Sequence, residues 1–124
     1  MDMDDKVHAF FTNRPEAYRL FKIVRNYLET FGAIKMEVMK TQISFGTKRK
    51  FTWIWLPQTW IKKRSNNSIT VTFVLRRRIT NKRIEEAIEP RPSYWTHHVL
   101  IQKERDLDQD LRDWLHEAYI NSLD

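Results

Sequence analysis

Two adjacent histidines, His97 and His98, follow Tyr94 in the segment "YWTHHVLI" (94–101). Imidazole titrates near neutrality and ligates metals, so the pair raises acid–base catalysis or a metal site. Adjacent residues of a strand point to opposite faces, however, and two such rings do not meet on one ion or substrate without a bulge. The other histidines, His8 and His116, lie near the two ends of the chain and join the pair only through the fold. Tyr94, His97 and His98 therefore define a candidate pocket in which one imidazole is hydrogen-bonded and partly buried. They do not define a catalytic set, and no metal site is assigned.

The second stretch with chemistry in it is "TKRKFTWIWLPQTWIKKR" (47–64), in which Phe51, Trp53, Trp55 and Trp60 lie between Lys48-Arg49-Lys50 and Lys62-Lys63-Arg64. Aromatic rings stack on bases for about 1–3 kcal/mol per base, and flanking cations contact phosphates. Against this, strand alternation puts Phe51, Trp53 and Trp55 on one face, and a wholly aromatic face is usually the buried one. The expectation is that these three rings face the core. Trp60, beyond the strand-stopping Pro57, is then the exposed ring, and the basic ends face an anion. A third cluster, Arg76-Arg77-Arg78, has guanidinium groups suited to bidentate contact with phosphate or carboxylate. The plainer alternative is a solvated strand end paired with Glu85, Glu86 or Glu89.

Several chemistries are excluded. Cysteine is absent, which removes thiol nucleophiles, thiolate zinc sites and disulfides. Two glycines, Gly32 and Gly46, cannot make a glycine-rich phosphate loop. Asp106, Asp108 and Asp110, with Glu117 in the twelfth place, copy the outline of a calcium loop. The turn position that needs glycine is Leu111, and the loop is rejected. No serine stands in a nucleophile elbow, and no carboxylate pair is spaced for glycoside hydrolysis. No catalytic residue and no cofactor is assigned.

The elements that must position these residues are read from periodicity. A short helix is expected over Asp4 to Phe11. A second starts at Pro15, with Ala17, Leu20, Phe21, Val24, Leu28 and Phe31 as its apolar stripe and Gly32 past its end. The period then falls to two. Strands are expected around Met36–Val38, Ile43–Phe45 and Phe51–Leu56, and over "ITVTFVLRR" (69–77), with a polar turn at 62–68. Ile84, Ala87 and Ile88 suggest a short helix over 81–89 that Pro90 and Pro92 end. "YWTHHVLI" is the last strand. A closing helix runs from Asp106 to Ser122 on the stripe Leu107, Leu111, Trp114, Leu115 and Ala118, with acidic residues at its start where the dipole favours them. The layout is α+β: an antiparallel sheet of about five strands, with N-terminal and C-terminal helices packed on it, in a single domain over residues 1–124.

Three of these segments carry a family resemblance. "VMKTQISFGTKRKFTWIWLP" (38–57), "EPRPSYWTHHVLI" (89–101) and "DLDQDLRDWLHEAY" (106–119) together resemble the bacterial family catalogued as domain of unknown function 5655, over about Val7 to Tyr119. The resemblance implies an α+β domain, found alone or at the end of larger proteins. It brings no catalytic residues.

The chain has 124 residues and a net charge of +6, unevenly spread. Residues 1–34 balance five basic against five acidic side chains; 35–83 hold thirteen basic and one acidic; 84–124 hold four basic and ten acidic. The basic middle suggests an anionic partner, of which nucleic acid is the most specific version. The acidic third could instead meet the basic middle, within one molecule or in a neighbour of a homo-oligomer. No run approaches the roughly 20 apolar residues of a membrane span, and "MDMDDKVHAFFT" does not read as a signal peptide. A cytoplasmic binding module rather than an enzyme, without membrane contact, is the expectation.

Overall fold

The computed structural model describes residues 2–57 and 67–124. Two helices come first, α1 (Met3–Phe10) and α2 (Pro15–Glu29). The Asp2 carboxylate caps α1 by accepting the Asp5 N–H at 2.9 Å, which satisfies one of the free donors of the first turn. Pro15 opens α2, where its missing N–H costs nothing. The 3.6-residue period of α2 brings Ala17, Leu20, Phe21, Val24 and Leu28 to one buried stripe. Phe21 sits between Phe11 and Phe45, with ring centroids 5.0 and 6.1 Å away. Truncating such a ring to alanine costs about 3–5 kcal/mol, because its neighbours cannot close the cavity.

Six strands follow: β1 (Lys35–Val38), β2 (Gln42–Gly46), β3 (Lys50–Trp55), β4 (Ile69–Leu75), β5 (Ile84–Arg91) and β6 (Tyr94–Ile101). They form one sheet in the order β1-β2-β3-β4-β6-β5, with every pairing antiparallel. A 3₁₀ turn, Glu104–Asp106, leads into α3 (Gln109–Ser122). Asp108 caps α3 through the Leu111 N–H at 3.0 Å. The closing helix therefore starts three residues later than its charge pattern suggests. Asp106 is spent instead on the N–H groups of Gln102 and Lys103, at 2.9 and 3.0 Å.

One sheet face carries Ile43, Phe45, Ile54, Ile69, Val71, Phe73, Leu75, Val99 and Ile101, all buried. Against it pack the stripes of α2 and α3, the latter through Leu111, Trp114, Leu115 and Ala118. The α+β architecture is as the sequence predicts, with one strand more than expected.

That sixth strand corrects the helix read over 81–89. Ile84, Ala87 and Ile88 are spaced like a helical stripe, yet the segment is β5 at the edge of the sheet. Its register against β6 slips twice, between Ile84 and Glu86 and between Ile88 and Arg91. Each slip interrupts the period of two, so the alternation that would announce a strand is not visible. Pro90 is tolerated because an edge strand has one side without ladder bonds.

A second irregularity decides where the tryptophans go. Phe45 pairs with Thr52 and Gly46 with Lys50, which leaves Phe51 as an extra residue. A bulge of this kind breaks the alternation at the inserted residue. Phe51 is 1% exposed and meets Tyr119 of α3 edge-on, with centroids 5.8 Å apart, so it faces the helices. Trp53 pairs with Ser44 and Thr72, and Thr72 pairs with His98, so these residues share the opposite face. The expectation that Phe51, Trp53 and Trp55 are all core holds for Phe51 only. Trp53 and Trp55 are half-buried on the far side. Gly46 is required by the same hairpin: a Cβ there would lie 2.9 Å from both the Arg49 carbonyl oxygen and the Lys50 Cα.

Candidate anion-binding site

The β2–β3 hairpin, the exit of β4, the β5–β6 turn and the C-terminal end of α3 meet at one end of the sheet. Because β3 and β4 are antiparallel neighbours, the start of one lies beside the end of the other. Lys48-Arg49-Lys50 and Arg76-Arg77-Arg78, far apart in sequence, are thereby brought to the same end. The hairpin is fixed to α3 by the Thr47 hydroxyl, which lies 2.9 Å from the Ser122 carbonyl and 2.7 Å from its hydroxyl.

Most of these cations have partners. Arg49 donates to the Tyr94 hydroxyl and lies over that ring, 5.7 Å from its centroid. Lys50 pairs with Glu37 at 3.2 Å, and Arg76 with Asp124 at 3.1 Å. Arg77 makes a two-pronged contact with Glu117, at 2.8 and 3.0 Å. Arg78 lies over Trp95, 5.6 Å from the ring centroid. Arg83 forms an ion pair with Asp108 at 2.7 Å, aligned outside hydrogen-bond geometry, and donates to the Asp106 carbonyl. The acidic third of the chain thus meets the basic middle within one molecule at Arg76, Arg77 and Arg83. The Arg76–Asp124 pair is the most open of the three, and exposed pairs contribute about 0–1 kcal/mol each.

Between the two basic triplets lies a pocket of about 210 Å³. Arg49, Lys50 and Arg76 line it together with Trp53, Val74, Tyr94 and Thr96, and α3 adds Asn121 and Ser122. A neighbouring depression of about 200 Å³ includes Lys35, Lys48 and Arg49, together with Glu37. The arrangement is cations around an aromatic and apolar recess, which suits an anionic group attached to a flat ring.

The histidines do not take part. His97 is fully buried on the helix side, stacked on Phe73 with centroids 5.1 Å apart and planes at 12°. Its Nε2 accepts the Ile79 N–H at 3.0 Å, while its Nδ1 has no formed partner among the described residues. Burial lowers its pKa below the usual imidazole value, against a smaller upward pull from the backbone of Phe73 and Trp95. His98 points the other way, with Nδ1 2.7 Å from the Thr72 hydroxyl. Tyr94, His97 and His98 are not one pocket: the tyrosine belongs to the basic end and the imidazoles to opposite faces. Of the other residues singled out in sequence, Trp60, Lys62, Lys63 and Arg64 lie outside the described residues, as does most of the polar turn at 62–68.

Sequence reasoning weighed Trp53 as a stacking ring but preferred the core for it, and it missed Thr96 and Asn121 as pocket residues and Asp124 and Glu117 as partners of the arginines. The placement of the two basic triplets had a usable signal. Two consecutive antiparallel strands must bring the residues before the first beside those after the second.

An α+β domain with a six-stranded antiparallel sheet, and a basic recess at one sheet end, is the class that fold and site define. The model of a family described as a domain of unknown function, DUF5655, matches residues 7–122, and the chain belongs to that family. No curated protein and no solved structure matches the chain. Among the described residues no helix is long and apolar enough to cross a membrane.

Proposed function

We propose that the protein is a binding module for an anionic partner, with nucleic acid as the partner the site suits best, and that the basic end of the sheet is its contact surface. The observation that carries this reading is the convergence of Arg49, Lys50 and Arg76 around an aromatic recess, with Lys48 at the depression beside it. Positive charge supplies the phosphate contacts that dominate nucleic-acid affinity, and the rings supply the stacking that is indifferent to sequence. An enzymatic reading has less support, because the buried His97 lies far from solvent and His98 faces away from it. Self-association through opposite charges is also less favoured, since Asp124, Glu117 and Asp108 already pair within the molecule. A cytoplasmic location fits this reading.

The test is fluorescence anisotropy of labelled oligonucleotides at several salt concentrations. Contact with about four phosphates gives a log–log slope near −3 on a single strand. Replacing Lys48 and Arg49 together with glutamate should abolish binding while leaving the fold intact by circular dichroism. A salt-insensitive affinity, or none, removes the proposal.

A further inference from the structure

We infer that the recess takes a single unstacked nucleobase, with the adjoining phosphate on Arg49 and Arg76, so that the protein selects single strands over duplex; this rests on the nucleic-acid reading above. Size is the first argument. At about 210 Å³ the pocket is smaller than the roughly 300–1,000 Å³ of sites for drug-sized ligands and cofactors. It matches a single ring system in size. Chemistry is the second argument. Trp53 and Tyr94 offer aromatic surface, Val74 and Thr96 an apolar wall, and the Asn121 amide a donor and an acceptor for a base edge.

The position of the phosphate is the third. Arg76, which lines the pocket, already holds an anion, the Asp124 carboxylate at 3.1 Å, and in this proposal a phosphate oxygen takes that carboxylate's place. Arg49 is held in place by the Tyr94 hydroxyl and ring. One of its five N–H donors serves that bond and the rest of the fork is left for an oxyanion. A base in a duplex must leave its stack and its partner before entering, a cost that a single strand does not bear. Discrimination between strand forms follows from the pocket, whereas the surrounding lysines attract both forms alike.

The experiment compares a labelled single strand of about 12 nucleotides, a length typical of such sites, with its duplex, using the intact chain. Thr96→Phe fills the recess with a residue that strands accept well, Asn121→Leu removes the base-edge amide, and Lys48→Ala is the charge control outside the recess. The expected result is single-strand binding at least about tenfold tighter than duplex. Thr96→Phe and Asn121→Leu, each checked for its melting transition, should erase that preference without changing duplex affinity. Lys48→Ala should weaken both forms in proportion. Adenosine 5′-monophosphate should compete with the single strand where inorganic phosphate at equal ionic strength does not. Equal affinity for the two forms, or a preference that survives both pocket variants, overturns the inference and leaves the broader nucleic-acid reading standing. Absence of any oligonucleotide binding overturns both.

Discussion

Arg77, just past the end of β4, grips Glu117 of α3 through two bonds of 2.8 and 3.0 Å. The last turn of α3 has no basic residue of its own, although the carbonyls there carry partial negative charge. Cations just past β4 supply what the helix lacks, Arg77 at Glu117 and Arg76 at Asp124. The hydrogen bond to Glu117 also raises the arginine's pKa further. The basic cluster therefore anchors the end of a helix as well as facing solvent.

Because the Arg77–Glu117 pair is exposed, its coupling should be small. A double-mutant cycle of Arg77→Ala and Glu117→Ala, followed by urea denaturation, should give about 0.2–1 kcal/mol. The coupling should shrink toward zero near 1 M salt, where the screening length is about 3 Å. A coupling above about 2 kcal/mol would mean the pair is shielded from water in a way its exposure does not suggest.

His97 should make stability fall with acid. Its native pKa is depressed by burial, so below about pH 6.5 the unfolded chain takes up a proton that the native imidazole refuses. The stabilisation is fully present above that pH and is lost as pH drops, with a slope of at most about 1.4 kcal/mol per unit for one group, until the native ring also titrates. His97→Phe should remove this slope relative to wild type. It should also lower the baseline by about 1–3 kcal/mol, because the buried Ile79 N–H loses its acceptor. Urea midpoints between pH 5 and 8 for both proteins test this; parallel curves would show that His97 does not titrate differently on folding.

The elements with unbroken periodicity were legible: the stripe from Ala17 to Leu28, the alternation from Ile69 to Leu75, and the run Leu111, Trp114, Leu115 and Ala118. Legibility failed where the backbone departs from its period. One inserted residue at Phe51 sends Trp53 to the face opposite the one its spacing suggests. Two slips in β5 turn a strand into the likeness of a helix. The candidate cations could be named one by one, since charge is local information. Their carboxylate partners and the recess between them depend on how α3 docks on the sheet, which no spacing within either element encodes.

Gly32 should not tolerate a side chain. Its φ of +150° belongs to a region that L residues rarely adopt, and a Cβ would lie 2.7 Å from the Tyr119 hydroxyl oxygen. Backbone strain of this kind costs about 1–3 kcal/mol. Gly32→Ala should be destabilised by at least that much. Adding Tyr119→Phe removes the oxygen but not the strain, so the double variant should recover only part of the loss. Thermal or urea melts of the three proteins decide it. Full recovery would show that the clash, and not the backbone, sets the requirement for glycine.

Asp124 should act as a competitor for whatever anion Arg76 binds. Its carboxylate lies 3.1 Å from the guanidinium, and both side chains are open to water. An exposed pair of this kind is worth about 0–1 kcal/mol. Freeing Arg76 by Asp124→Asn should therefore tighten single-strand binding by up to about fivefold. The substitution also raises the net charge by one, which strengthens binding to any polyanion. Asp113→Asn makes the same change elsewhere on α3, where the carboxylate accepts from Gln109 at 2.7 Å. The comparison that matters is between these two variants, by anisotropy at one moderate salt concentration. A larger gain for Asp124→Asn places the phosphate on Arg76; equal gains would reduce the effect to net charge and leave that arginine with a purely structural role at the end of α3.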